Sequence, residues 1–162
     1  MHDIESPRTD DSAIEAEIKA KGLTAPRVTP ADIETNIASE HYFTAAQGDM
    51  QAKMDAVFSR GGVINGEGTA PPAPLSLLTI CVLVLQSGFT VTGESACASP
   101  ENFDAELGRK IARANAVSKV WPLMGYALKE RLHAVATPQP PADYDHVAVR
   151  SSLFSDPSVF KV

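Results

Sequence analysis

Residues 75–103 read Leu-Ser-Leu-Leu-Thr-Ile-Cys-Val-Leu-Val-Leu-Gln-Ser-Gly-Phe-Thr-Val-Thr-Gly-Glu-Ser-Ala-Cys-Ala-Ser-Pro-Glu-Asn-Phe. The first part, 75–85, is apolar on both alternating faces. Leu77, Thr79, Cys81, Leu83 and Leu85 fall on one side, and Leu78, Ile80, Val82 and Val84 on the other. A strand of that kind needs cover on both sides. Gln86-Ser87-Gly88-Phe89 then turns the chain, and a glycine at the second loop position fits a tight two-residue hairpin. Phe89 and Val91 point one way, Thr90, Thr92 and Glu94 the other. Ser99-Pro100-Glu101 supplies a capping hydroxyl, a proline suited to the first helical turn and an acid for the positive end of the dipole. The stretch thus predicts strand, turn, strand, loop and helix start in sequence.

The helix that follows is expected over about 100–133. Its apolar positions are Phe103, Leu107, Ile111, Ala114, Trp121, Met124, Leu128 and Leu132, a stripe at helical spacing. Pro122 lies inside it and is expected to kink or divide the helix near Lys119. Upstream, Ser12 with Glu15 suggests a capping box for a helix running to Lys21, closed by Gly22. Thr29-Pro30-Ala31-Asp32 starts a second short helix with Ile33 and Ile37 on its apolar side. His41, Tyr42, Phe43 and Thr44 read as a short extended piece. Residues 48–59 carry helical spacing at Met50, Met54, Val57 and Phe58. Residues 61–74 hold four glycines and three prolines and read as a flexible loop.

The fold class expected is therefore α+β. A central antiparallel hairpin over about 75–94, with a third short strand near 41–44 as a further option, is packed by a long kinked C-terminal helix and short N-terminal helices. The organisation expected is a flexible N-terminus at 1–11, one α+β domain at 12–133 with the Gly/Pro-rich loop at 61–74, and a Pro-rich tail at 134–162. A hairpin alone is marginal in water. The short helices, or a second copy of the chain, are expected to cover its second face.

The chain has 162 residues and a net charge of −6, so whole-molecule attraction to nucleic acid or an anionic membrane is not favoured. Residues 1–40 hold nine acids against four bases, and residues 101–133 six bases against four acids. Two solvated faces are the favoured reading, with contact between them the alternative. The two cysteines, Cys81 and Cys97, form no disulfide framework and no zinc pattern. The first residues lack signal-peptide character, and the run 75–85 is far short of the ~20 apolar residues that span a bilayer. These features point to a reducing cytoplasm, no membrane, no cofactor and no metal.

Reactive side chains cluster only in the loop before the long helix. Cys97 sits where a helix dipole favours a thiolate; a nucleophile there would need a base, and His41 is the histidine of the expected folded body before the hairpin. The bland alternative is a small packed cysteine, and Cys81 reads as core. Glu94 and Ser95 end the second strand and either meet a ligand or satisfy loop backbone groups. Arg109, Lys110, Arg113 and Lys119 share one side of the helix. They form either a solvated face blunted by Glu106 or a docking face for phosphate or an acidic partner. The ligand-binding candidates are thus Glu94, Ser95, Cys97, Arg109, Lys110 and Arg113, and no catalytic residue is assigned.

Several runs together resemble a known family: residues 23–33 (Leu-Thr-Ala-Pro-Arg-Val-Thr-Pro-Ala-Asp-Ile), 39–43 (Ser-Glu-His-Tyr-Phe), 78–85, 88–103, and 104–112 leading to Trp-Pro-Leu-Met-Gly-Tyr at 121–126. They resemble the tailed-bacteriophage family named for the gene forty-nine and gene sixty-six products of its founding phages. The Gly-Phe-Thr-Val-Thr-Gly-Glu-Ser-Ala-Cys run at 88–97 is its most specific part. The resemblance covers about 13–132; residues 47–74 look like an insertion, and the segment after about 134 departs from it. It implies a phage or prophage accessory protein acting in the host cytoplasm and no catalytic residue. The leading expectation is a non-enzymatic factor that binds a host or phage protein, with homo-oligomerisation an option. The alternative is a small-ligand or nucleotide binder using the loop before the long helix, and a cysteine-dependent enzyme ranks below both.

Overall fold

The computed structural model describes residues 11–62 and 70–137. The chain divides into two compact units, residues 1–128 and 129–162. Sheet, core and candidate site all belong to the first; in the second, residues 129–136 are helical. The described elements are α1 (Asp11–Ala20), α2 (Pro30–Asn36), β1 (Ile37–Thr44), α3 (Ala45–Phe58), β2 (Leu78–Leu85), β3 (Thr90–Ala96) and α4 (Ala105–Ala136), with 3₁₀ turns at Ala73–Leu77 and Pro100–Asn102. The fold is α+β: a three-stranded antiparallel sheet in the order β1-β2-β3, with a long C-terminal helix. Half of the expected loop at 61–74, residues 63–69, lies outside the described residues, as do residues 138–162 of the expected tail and the first ten residues; 134–136, expected to open that tail, are still helical and belong to α4.

The third strand is longer than the sequence suggests and begins at Ile37, so Ile37 belongs to β1 rather than to the helix before it. Thr29 caps α2 reciprocally with Asp32: Asp32 N–H donates to Thr29 Oγ1 at 3.2 Å, and Thr29 N–H to Asp32 Oδ2 at 2.8 Å. Thr44 and Gln47 repeat the device and start α3 at Ala45, three residues before the expected point.

The hairpin turn also differs. Gly88 N–H donates to Leu85 O and Leu85 N–H to Phe89 O, each at 2.8 Å, so the loop has three residues, 86–88, rather than two. Gly88 carries φ +81°, the left-handed position that closes a three-residue hairpin with a bulge.

Thr79, Cys81, Leu83 and Leu85 face α4 and are buried; Ile80, Val82 and Val84 on the other face are half-buried. Register places Glu40, Tyr42 and Thr44 of β1 and Val91, Gly93 and Ser95 of β3 on the α4 side. On the opposite side α3 provides cover, with a Cβ at Gly48 only 3.4 Å from the Phe43 ring.

The largest departure concerns α4. The residues it buries are Gly108, Ala112, Ala116 and Val120, four apart, whereas Leu107 and Ile111 of the expected stripe are 53% and 43% exposed. The cause is close approach. A Cβ at Gly93 would lie 2.2 Å from both the Ala112 carbonyl oxygen and the Ala116 nitrogen. At that separation only glycine and alanine fit between helix and sheet. Trp121 and Met124 pack against the edge of the core from half-buried positions. Pro122 does not divide α4, which runs unbroken through it.

The start of α4 is also set differently from the reading at Ser99. Ser99 makes no capping hydrogen bond to the 3₁₀ turn that follows it. Instead Asp104 Oδ1 accepts the Leu107 N–H at 2.8 Å, and its carbonyl accepts the Gly108 N–H at 2.8 Å. The proline turn at Pro100–Asn102 therefore precedes the helix rather than opening it.

Candidate functional site

The end of the hairpin, where β2 begins and β3 stops, meets the first two turns of α4 at a cleft of about 120 Å³. Each wall has a clear origin in the chain. The β2–β3 ladder continues one step past its formal end, with Cys97 N–H donating to Leu77 O at 2.9 Å, which brings Ser95, Cys97, Leu77 and Thr79 together. The proline turn then carries Asn102 and Phe103 over the opening, and Asp104 starts the helix so that Leu107, Gly108 and Ile111 form the far side. Leu77, Phe103, Leu107 and Ile111 make an apolar wall. Thr79, Ser95, Asn102 and Asp104 supply the polar atoms.

Thr79 is 4% exposed and sits on the floor. Its Oγ1 faces Gly108, and a Cβ there would come within 2.8 Å of it. Among the described residues its hydroxyl has no hydrogen-bond partner. Asp104 is already engaged at the helix start, and Cys97 Sγ donates to the Ser99 carbonyl at 3.1 Å. Among the described residues no Lys or Arg lines the cleft. Two wider hollows lie under α1, of about 240 and 510 Å³. Glu15 lines both and is held by Arg27 at 2.8 Å. That hydrogen bond pulls its carboxyl below the usual range.

The structure brings Ser95 and Cys97 into this cleft and distributes the other candidates around α4. Glu94 lies at the outer edge of the sheet, where Lys119 Nζ donates to Glu94 Oε2 at 3.4 Å and to the Thr92 carbonyl at 2.8 Å. Asn115 Nδ2 donates to the Glu94 carbonyl at 2.8 Å. These bonds occupy outward carbonyls of β3 and so protect an edge strand.

Arg113 reaches the opposite flank and binds Glu34 and Glu40, with Nη2 2.7 Å from Glu34 Oε2 and Nε 2.8 Å from Glu40 Oε1. Arg113 and Lys119 thus do not share a docking face, and two acids of the N-terminal forty meet the basic helix after all. Lys110 pairs with Glu106 at 3.0 Å on the surface, and Arg109 is exposed.

The Arg113 side also carries the perturbed groups. The Arg113 hydrogen bond holds the Glu40 carboxyl below its ordinary range. Tyr42 donates to Glu40 Oε2, and burial, reinforced by that bond, pushes its phenol up. Cys81, fully buried beside Tyr42, is pushed up by burial. His41 and Cys97 do not meet: His41 pairs with Val82 across the sheet and bonds Ser39 Oγ at 3.0 Å, whereas Cys97 joins β2 at Leu77. Among the described residues no three His, Cys, Asp or Glu converge on a metal position, and no helix is long and apolar enough to cross a membrane.

Sequence reasoning missed Thr79, Asn102, Leu107 and Ile111 as site residues. Thr79 had one available signal, as the hydroxyl in an otherwise apolar alternation, but Leu107 and Ile111 looked like core.

Residues 28–132 match the model of the phage protein family described as N4 Gp49/phage Sf6 gene 66. The chain belongs to this family. The matched segment holds α2, the whole sheet, the cleft and most of α4, so the site lies within the family's shared part. Family membership makes the chain a phage-associated protein. No significant match is found among curated proteins or among solved structures.

Proposed function

We propose that this family member is a non-enzymatic accessory factor that binds another protein in the cytoplasm of the infected bacterium, through the groove at the start of α4. The observation that carries this reading is the exposure of Leu107 and Ile111, which line an open cleft on a helix whose adjoining residues Gly108 and Ala112 are buried. Apolar side chains grouped at the mouth of a concave site favour docking of a partner surface. The nucleotide alternative is supported less: the cleft is small, its lining among the described residues holds no cation, and that lining includes the acidic Asp104. A cysteine mechanism would require a base near Cys97, and the thiol instead faces a carbonyl oxygen.

The test is affinity capture from infected cells with the wild-type chain and with Leu107→Asp/Ile111→Asp, followed by rebinding of each captured host or phage protein in purified form. At least one partner should bind directly to wild type and be lost by the double variant. Identical capture by both chains sinks the reading. Light scattering of the pure proteins adds the case of a second copy: a dimer that dissociates in the double variant assigns the groove to self-association.

A further inference from the structure

We propose that the cleft is a socket for one apolar side chain of a partner polypeptide. Its polar floor would bond the uncharged peptide group next to that side chain; the inference rests on the protein-binding reading above. The starting observation is Thr79. Thr79 is 4% exposed, yet its hydroxyl oxygen is not among the fully enclosed unpartnered atoms, so water or a bound group in the cleft can satisfy it. Valine has the same shape and equal suitability for a strand, so nothing in the packing of β2 calls for the oxygen. Its oxygen faces α4 at the floor of an open cleft, where a bound group can reach it.

The rest of the lining specifies the chemistry of that group. A cleft of about 120 Å³ is of the size that holds a compact apolar body; an apolar cavity of about 150 Å³ holds a benzene ring. Phe103, Leu107 and Ile111 provide the matching wall. Thr79, Ser95 and Asn102 can each donate or accept, which suits a peptide group offering one N–H and one carbonyl. Asp104, with no cation beside it in the lining among the described residues, opposes a carboxylate or a phosphate. The occupant is therefore a leucine-sized side chain on a neutral stretch of main chain.

The experiment uses the full chain, labelled with ¹⁵N and titrated with N-acetyl-leucine methylamide. N-acetyl-leucine, which ends in a carboxylate, and N-acetyl-glycine methylamide, which lacks the side chain, serve as comparisons. Saturable shift changes are expected at the amides of Ser95, Leu107 and Gly108, with binding at least about tenfold weaker for both comparison compounds. Thr79→Val should weaken the leucine amide by about three- to tenfold, the value of one hydrogen bond, with Tm unchanged or raised. Thr79→Ser, which keeps the hydroxyl, should bind like wild type. Shifts mapping elsewhere, equal binding of the carboxylate compound, or an unchanged Kd in Thr79→Val would each overturn the socket. If the probe fails while Leu107→Asp/Ile111→Asp still loses a partner, the socket falls and the protein-binding reading stands. If the double variant keeps every partner, the protein-binding reading falls whatever the probe does.

Discussion

Two rows of side chains run along the first half of α4, one residue apart in each turn. Gly108, Ala112, Ala116 and Val120 lie against the sheet, while Leu107 and Ile111 stay about half exposed. Ranked by hydrophobicity alone, the assignment would be reversed, because leucine and isoleucine gain about 1.5–3 kcal/mol from full burial and alanine far less. What decides is distance. Gly93 lets the helix backbone settle directly onto β3 at Ala112 and Ala116, within a buried row that runs a little over three turns of helix. The larger residues on the adjoining row are then left for a different use. The comparison separates a row selected by size for packing from a row whose exposed apolar surface is open to a partner.

The sharpest way to break this comparison is to add atoms at the contact. Gly93→Ala places a methyl group 2.2 Å from backbone atoms of Ala112 and Ala116, which cannot rotate away. A loss of about 3 kcal/mol or more is expected in urea unfolding, with collapse of the α4 signals in NMR spectra. If Gly93→Ala matches wild type, the close approach is not what selects the small row.

A smaller effect tests the helix start. Asp104→Ala removes the acceptor of the Leu107 N–H, and about 1 kcal/mol should be lost. Ser99→Ala should cost less, because Ser99 makes no capping bond. Equal losses in the two variants would restore Ser99 as the cap.

A further test uses pH on the flank held by Arg113. The Glu40 carboxyl is depressed below its unfolded value, so it binds a proton less readily in the folded state. Its stabilising contribution is complete above the ordinary carboxylate range, about pH 4.3, and is lost as pH falls through the lower folded value. Glu40→Gln should therefore lower the urea midpoint at pH 7 and narrow the gap to wild type as pH drops towards 3. A gap that stays constant with pH would show that the ion pair with Arg113 does not contribute.

Much of the fold was legible because local patterns and tertiary structure agree. The double alternation at 78–85, the Thr29 cap and the turn at Gly88 each state their conformation in a few residues, whereas 75–77, expected to begin the strand, form the end of a 3₁₀ turn. The loop length at 86–88 was misread because Ser-Gly serves two hairpin types, and only the hydrogen bonds between Leu85, Gly88 and Phe89 distinguish them. The buried row of α4 was hidden because the residue that creates it, Gly93, lies on another element. No periodicity within the helix reports the distance to its neighbour. Of the candidate site, Ser95 and Cys97 were visible as polar residues at a strand end. Thr79 was hidden inside an apolar run, and the roles of Arg113 and Lys119 depended on which flank of the sheet each would reach.

The smallest expected change in stability comes from the exposed row, and it distinguishes the two rows most directly. Leu107→Asp and Ile111→Asp each replace a side chain that is about half exposed, and neither places a charge on the sheet side of α4. Each should shift stability by about 0.5 kcal/mol or less. Ala112→Asp and Ala116→Asp, one and five residues beyond Ile111, place the same charge on fully buried positions and should prevent folding. Tm measured for these four variants therefore reads the two rows against each other with the chemistry held constant. If Leu107→Asp or Ile111→Asp unfolds the protein, that position belongs to the core. The packing of α4 against the sheet would then extend to that position, and the groove would lose the surface on which a partner is proposed to dock.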